Sequence, residues 1–222
     1  SYVIFTRSNY NDAKLERSDD QTNYLRMYVS FKQGPSWSDP VELFPNAGKY
    51  NMGHPAVSSD GTYMVFVSDM PGGYGQTDLY LSKLEGGSWS KPMNLGSEIN
   101  TTGDEMFPVL RMLNGVEVLT FSSSGHGSTG GLDVFMAAKS MGGFAQVRQY
   151  GSPINSTADD FGLAFDSTGN WGVLSSNRYG DGSTDYLYKV EVVPPVFDAT
   201  VTVIDKNSGD VLSNATAVSY TH

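Results

Sequence analysis

The chain has 222 residues, a formal net charge of −10, no cysteine and 25 glycines. Disulfide and thiolate chemistry are therefore excluded. The acidic balance argues against nucleic acid and anionic membrane surfaces, both of which need a Lys/Arg surplus on some face. No run of about 18 apolar residues is present, which excludes a membrane-spanning helix in this stretch.

In chain order, Tyr2–Phe5 reads as the middle of a strand, and short Tyr/Val/Phe/Thr-rich runs follow, separated by Gly, Asn, Asp, Ser and Pro. That alternation predicts an all-β protein. Three stretches repeat. Arg26–Trp37 is RMYVSFKQGPSW, Asp78–Trp89 is DLYLSKLEGGSW and Asp133–Phe144 is DVFMAAKSMGGF. A fourth start, DYLYKV, lies at Asp185, so the spacings are 52, 55 and 52 residues. A repeat of this length made of short strands predicts a β-propeller.

The second copy sets the template of strands a to d. His54–Ser58 is the inner strand a, Asp60-Gly61 the a–b turn, and Thr62–Ser68 strand b, apolar on both faces. Asp78–Leu84 is strand c, Gly86-Gly87 a turn, and Trp89–Leu95 strand d. The crossing to the next blade recurs as Ser97-Glu-Ile-Asn100 and Ser152-Pro-Ile-Asn155. The first blade lacks strand a and the fourth lacks strand d. The reading is a partial β-propeller of about three and a half four-stranded blades (residues 1–193), belonging to a larger ring that upstream residues complete by pairing with the open edge at Asp185–Val190. Residues 197–222 are expected to begin a second, β-sandwich domain, with Pro194-Pro195 as a stiff hinge.

Ser122, His126 and Asp133 offer the residue types of a hydrolase triad, but Ser122 and Asp133 stand at repeated positions and read as structural. Asp78, Asp133 and Asp185 are expected to cap backbone N–H groups of the loop before strand c. A glycosidase needs two facing carboxyls, whereas the only charges on the expected inner strands are Arg111 and Asp166. Asn177, Asp181 and Asp185 are oxygen ligands along one loop, so a bound calcium ion is possible, but their spacing is not that of an EF-hand. A polar turn is the preferred reading, with no cofactor and no metal. Asn100, Asn155 and Asn214 lie in Asn-x-Ser/Thr triplets and read as turn residues.

The b–c and d–a loops share one propeller face and carry a strongly acidic total, while the remaining propeller residues sum to a positive charge. This predicts an acidic face, which loop solubility alone would account for; the sharper reading is a docking surface for a basic partner or for divalent cations. Asp104, Glu105, Asp159 and Asp160 are the candidate partner-binding residues, with the loop Asn9–Asn23 as a second contact.

Leu174–Tyr188 (LSSNRYGDGSTDYLY) resembles the PD40 repeat, which is TolB-like and WD40-related. Gly130–Phe135, Pro153–Ser156 and Asp159–Gly162 resemble the version found in OmpA-family lipoproteins of the Bacteroidetes. Arg26 and Phe144 depart from the pattern, where Asp and Trp are usual. The segment from Phe197 resembles the start of a carboxypeptidase-regulatory-like domain. The resemblance implies a non-enzymatic docking module in the periplasm, associated with the outer membrane. It would link type IX secretion machinery to the cell envelope, and would reach peptidoglycan only through a domain absent from this sequence. The alternatives are a TolB-like envelope-complex propeller, a glycan-binding or carbohydrate-active propeller, and a β-sandwich with no propeller.

Overall fold

A computed structural model describes residues 1–8, 10, 11, 14, 15, 22–45, 49–180, 182–193 and 208. The chain divides into a unit Ser1–Glu191 and a unit Val192–His222. Of the second, only residues 192, 193 and 208 are described, so the expected sandwich at 197–222 lies outside the described residues, Ser208 apart. Helices are absent among the described residues, so none is long and apolar enough to cross a membrane.

The first unit is a β-propeller of four antiparallel sheets. Blade 1 holds β1 (Tyr2–Ser8), β4 (Leu25–Gln33), β5 (Ser36–Trp37) and β6 (Val41–Glu42), with the hairpin β2 (Tyr10–Asn11) and β3 (Lys14–Leu15) inside its long b–c connection. Blade 2 comprises β7 (Met52–Val57), β8 (Tyr63–Ser68), β9 (Asp78–Glu85), β10 (Ser88–Trp89) and β11 (Met93–Asn94). Blade 3 runs β12 (Glu105–Leu113), β13 (Val116–Ser123), β14 (Asp133–Ser140) and β15 (Gly143–Gln149). Blade 4 is β16 (Asp160–Phe165), β17 (Trp171–Ser176) and β18 (Tyr186–Glu191). Strand a is thus missing from blade 1 and strand d from blade 4 among the described residues, as the repeat predicts. One detail differs. Strand d of blade 2 is not continuous but breaks into β10 and β11 around Lys91-Pro92, where proline has no N–H to give the ladder.

The core follows from the radial packing. Every residue of β8 is buried, since a strand between two neighbours has no solvent face. Met27, Met52, Met64, Phe66 and Tyr80 fill the space between blades 1 and 2. Val65, Leu79, Ile99, Leu119, Phe121 and Phe135 fill that between blades 2 and 3, and Val134, Leu163 and Leu174 that between blades 3 and 4.

A polar staple recurs on the loop face at each junction. The side chain just before strand a of one blade takes a donor from the residue at, or just before, the start of strand c of the preceding blade. These bonds are Leu25 N–H to Asn51 Oδ1 (2.9 Å), Thr77 Oγ–H to Asp104 Oδ1 (2.8 Å) and Leu132 N–H to Asp159 Oδ1 (2.8 Å). The same side chain pairs with the end of strand b. Asn51 donates to Asp69 twice, whereas Asp159 exchanges two bonds with Asn177, so the amide and the carboxylate have traded places between blades 2 and 4. The glycines of the b–c loops make this approach possible. A Cβ at Gly75 would overlap the carbonyl oxygens of Thr101 and Gly103, and one at Gly130 that of Ala158.

Candidate functional site

The loop-face acids do not form an open docking surface. Glu105 is fully buried and accepts from Thr101 N (2.7 Å), Thr101 Oγ (2.7 Å) and Ser123 Oγ (2.6 Å). Asp160, its counterpart one blade on, is equally buried; it accepts from Ser156 N (2.6 Å) and Ser156 Oγ (2.8 Å) and pairs with Arg178. Both hold the crossing segment against strand a, so neither can meet a partner. Asp104 and Asp159 are half-buried members of the inter-blade staples. The docking assignment is therefore corrected for Glu105 and Asp160, whose charges are consumed by backbone and side-chain donors within the propeller, whereas Asp104 and Asp159 keep part of their surface exposed. Of the loop proposed as a second contact, most residues between 9 and 21 lie outside the described residues.

The crossing asparagines have the same kind of role. Asn100 accepts from Leu79 N–H (2.8 Å) and donates to Leu79 O (3.0 Å); Asn155 does the same at Val134 (2.8 and 2.9 Å). A carboxamide thus supplies strand c with the donor and acceptor that a neighbouring strand would. Asn214 lies outside the described residues. Asp78 takes Tyr74 N–H and Gly75 N–H, and Asp133 takes Thr129 N–H, as the capping expectation requires, but the exposed Asp185 makes no such bond among the described residues. No hydrogen bond joins Ser122, His126 and Asp133. Ser122 Oγ accepts from Gly162 N–H, and the His126 Nε2 lies 2.8 Å from Ile99 O. Of the calcium candidates, Asn177 is committed to Asp159, Asp185 is exposed, and Asp181 lies outside the described residues.

What the sequence reading missed is a row of rings on the inner strands. Each of β7, β12 and β16 carries a bulge at the same repeat position, between Gly53 and Ala56, Met106 and Val109, and Phe161 and Ala164. The bulges hold His54 and Phe107 out of the ladder, and Phe161, still paired with Ser175 at the edge of its bulge, completes the row. His54 and Phe107 stack with centroids 4.5 Å apart and planes 15° apart, and Phe107 and Phe161 with centroids 4.9 Å apart and planes 30° apart. All three are half-buried. His54 and Phe107 hold φ of 49° and 51°, left-handed values that are outliers for bulky residues and that cost on the order of 1–3 kcal/mol each. Blade 4 needs no such cost, because Gly162 takes the turn at φ 66°. His54 N–H donates to Thr6 Oγ (3.0 Å), which ties the row to blade 1, while its buried Nδ1 has no partner. Burial pushes the His54 pKa down, so the ring is neutral at neutral pH. Bulges that re-aim side chains, held under backbone strain, are characteristic of binding and catalytic sites. The in-phase signal was His54-Pro55 and Phe107-Pro108, with Gly162 at the same repeat position in blade 4 and Phe161 one residue before it.

No family model and no curated protein matches the chain. Solved structures do. An α-L-arabinofuranosidase from Lactobacillus brevis aligns with a TM-score of 0.57 at 14% identity, over 100% of this chain and 74% of that one. A xylan β-1,4-xylosidase from Bacillus halodurans C-125 aligns at 0.51 and 16%, over 86% of this chain and 39% of the other. A glycoside hydrolase family 43 protein from Bacillus licheniformis aligns at 0.51 and 20%, again over 86% and 39%. At such identities the likeness is one of fold. It nonetheless overturns the expectation of a non-enzymatic module, since the matching propellers are enzymes and the architecture gives no ground for excluding catalysis.

Proposed function

We propose that this chain is a carbohydrate-active propeller that binds a saccharide at the His54–Phe107–Phe161 row. The observation that carries the reading is the strained ring stack on three adjacent inner strands. Apolar C–H faces of a sugar ring lose water favourably against aromatic surface, and ligand sites combine such surface with a few fixed polar groups. The likeness to arabinose- and xylose-processing propellers supports the same substrate class. Cleavage of a glycosidic bond uses two carboxyls. Glu105 and Asp160, the buried carboxyls that open neighbouring inner strands, are held by internal donors and are not assigned to that role.

The test is calorimetric titration with arabino- and xylo-oligosaccharides, with chromatography of the same mixtures for shortened products. Saturable binding that weakens about tenfold or more in Phe161→Ala, with an unchanged melting temperature, is the expected result. Failure of both sugar series to bind the folded wild-type chain would remove the proposal. Shortened products from the folded wild-type chain would show that binding is followed by hydrolysis; their absence alongside saturable binding would leave a glycan-binding propeller.

A further inference from the structure

At the opposite end of the inner strands lies a second cleft, between the a–b turns of blades 3 and 4. It encloses about 470 Å³ and is lined by Arg111, Met112, Asn114, Phe165, Asp166 and Thr168, among others. Its notable feature is Arg111. Every other arginine for which an ion pair is described has a carboxylate, Arg26 with Glu42 and Arg178 with Asp160. Arg111 has none. Its Nη2 donates to the Tyr150 hydroxyl at 3.3 Å, its guanidinium carbon lies 4.2 Å from the Phe165 ring centroid, and its Nε is buried without a partner. The Asp166 carboxylate in the same cleft is not its counter-ion. Both Asp166 oxygens are occupied by their own turn, through Thr168 N, Thr168 Oγ, Asn170 N and Trp171 N, at 2.6 to 3.3 Å.

A half-buried guanidinium fixed against a ring, with no carboxylate counter-ion among the described residues, is a costly arrangement unless an anion completes it. A planar fork held in one orientation suits a carboxylate. The fixed negative charge of Asp166 nearby disfavours a dianion. We propose that this cleft is a binding site for a carboxylate-bearing sugar, with Arg111 gripping the carboxylate. The anion half of this inference stands on Arg111 alone; the sugar half rests on the carbohydrate reading above.

The experiment is calorimetry on the whole chain with sodium galacturonate, galactose and inorganic phosphate. Arg111→Gln and Arg111→Lys are the variants, and melting temperatures establish folding. Galacturonate is expected to bind and galactose to bind at least about tenfold more weakly at this site. Arg111→Gln should abolish the difference, and Arg111→Lys, which keeps the charge but not the fork, should restore only part of it. Equal affinity for galacturonate in the wild type and folded Arg111→Gln would overturn the assignment. So would absence of galacturonate binding, or phosphate binding as tight as galacturonate; the first two would leave Arg111 as a packing residue over Phe165. If Arg111→Gln does not fold, full retention of galacturonate affinity in Arg111→Lys is the overturning result. Loss of neutral oligosaccharide binding in Phe161→Ala is read at the other end of the strands, so the two proposals fail separately.

Discussion

The junction between blades 2 and 3 and the junction between blades 3 and 4 share one backbone plan but neutralise their central acid differently. Glu105 is one methylene longer than Asp160 and reaches Thr101 and Ser123, so neutral donors satisfy it. The Asp160 carboxylate does not bond the end of strand b directly. Arg178 spans that gap, bonding Asp160, Ser176 Oγ and the carbonyls of Pro153 and Ile154. The same position is therefore a hydrogen-bonded cage in one junction and an ion pair in the next. Repetition preserves the backbone demand, a held crossing segment, and leaves the chemistry of neutralisation open.

The strongest way to break this comparison is Arg178→Met. It leaves Asp160 charged in a site with no exposure, and about 3 kcal/mol of stability should be lost in chemical denaturation. A loss no greater than that of Glu105→Gln would show that the two junctions are not different in kind. Next come Asn100→Ala and Asn155→Ala. Each strands a backbone N–H and a C=O beside strand c, and should cost about 2 kcal/mol, equally in the two junctions. Unequal losses would mean that the ion pair, rather than the asparagine, holds the blade 3–4 crossing. Glu105→Gln keeps the shape but sets an NH2 against donors, and about 1 kcal/mol is expected from the same measurement.

The smallest effect lies at the other end of the strands. Asp60 accepts from Ser58 Oγ, Thr62 N and Thr62 Oγ, which hold its pKa at about 2. Its folded pKa is below the unfolded value near 3.8, so its contribution is complete above about pH 4 and is lost as pH falls toward 2. Melting temperatures of Asp60→Asn and wild type should therefore converge as pH falls through that window, and a constant gap would refute the assignment.

Much of the fold was legible because strand signals are local. Alternation, the Asp60-Gly61 and Gly86-Gly87 turns, and the in-phase copies at Asp78 and Asp133 located the strands of blades 2 and 3 within a few residues. Capping by Asp78 and Asp133 was legible too, because the loop they hold is adjacent in sequence. The acids at 105 and 160 were misread, and those at 104 and 159 proved to be partly engaged between blades. Counting charges on loops assumes solvent around them, and only the arrival of Thr77, Ser123, Leu132 and Arg178 from elsewhere in the chain removes it.

The sequence by itself determined the blades: a period of two along each strand and glycine at the turns depend on neighbours a few residues away. Tertiary structure alone decided which polar groups remain for function. His54, Phe107 and Phe161 lie more than fifty residues apart in succession, and they meet only because three bulged strands converge. Arg111 and Asp166 look alike as lone charges on inner strands, yet one is saturated by its own turn and the other is left with an unpaired N–H. The saturation of Asp166 is local, but the lack of a carboxylate beside Arg111 depends on which strands pack around it, which no local pattern encodes.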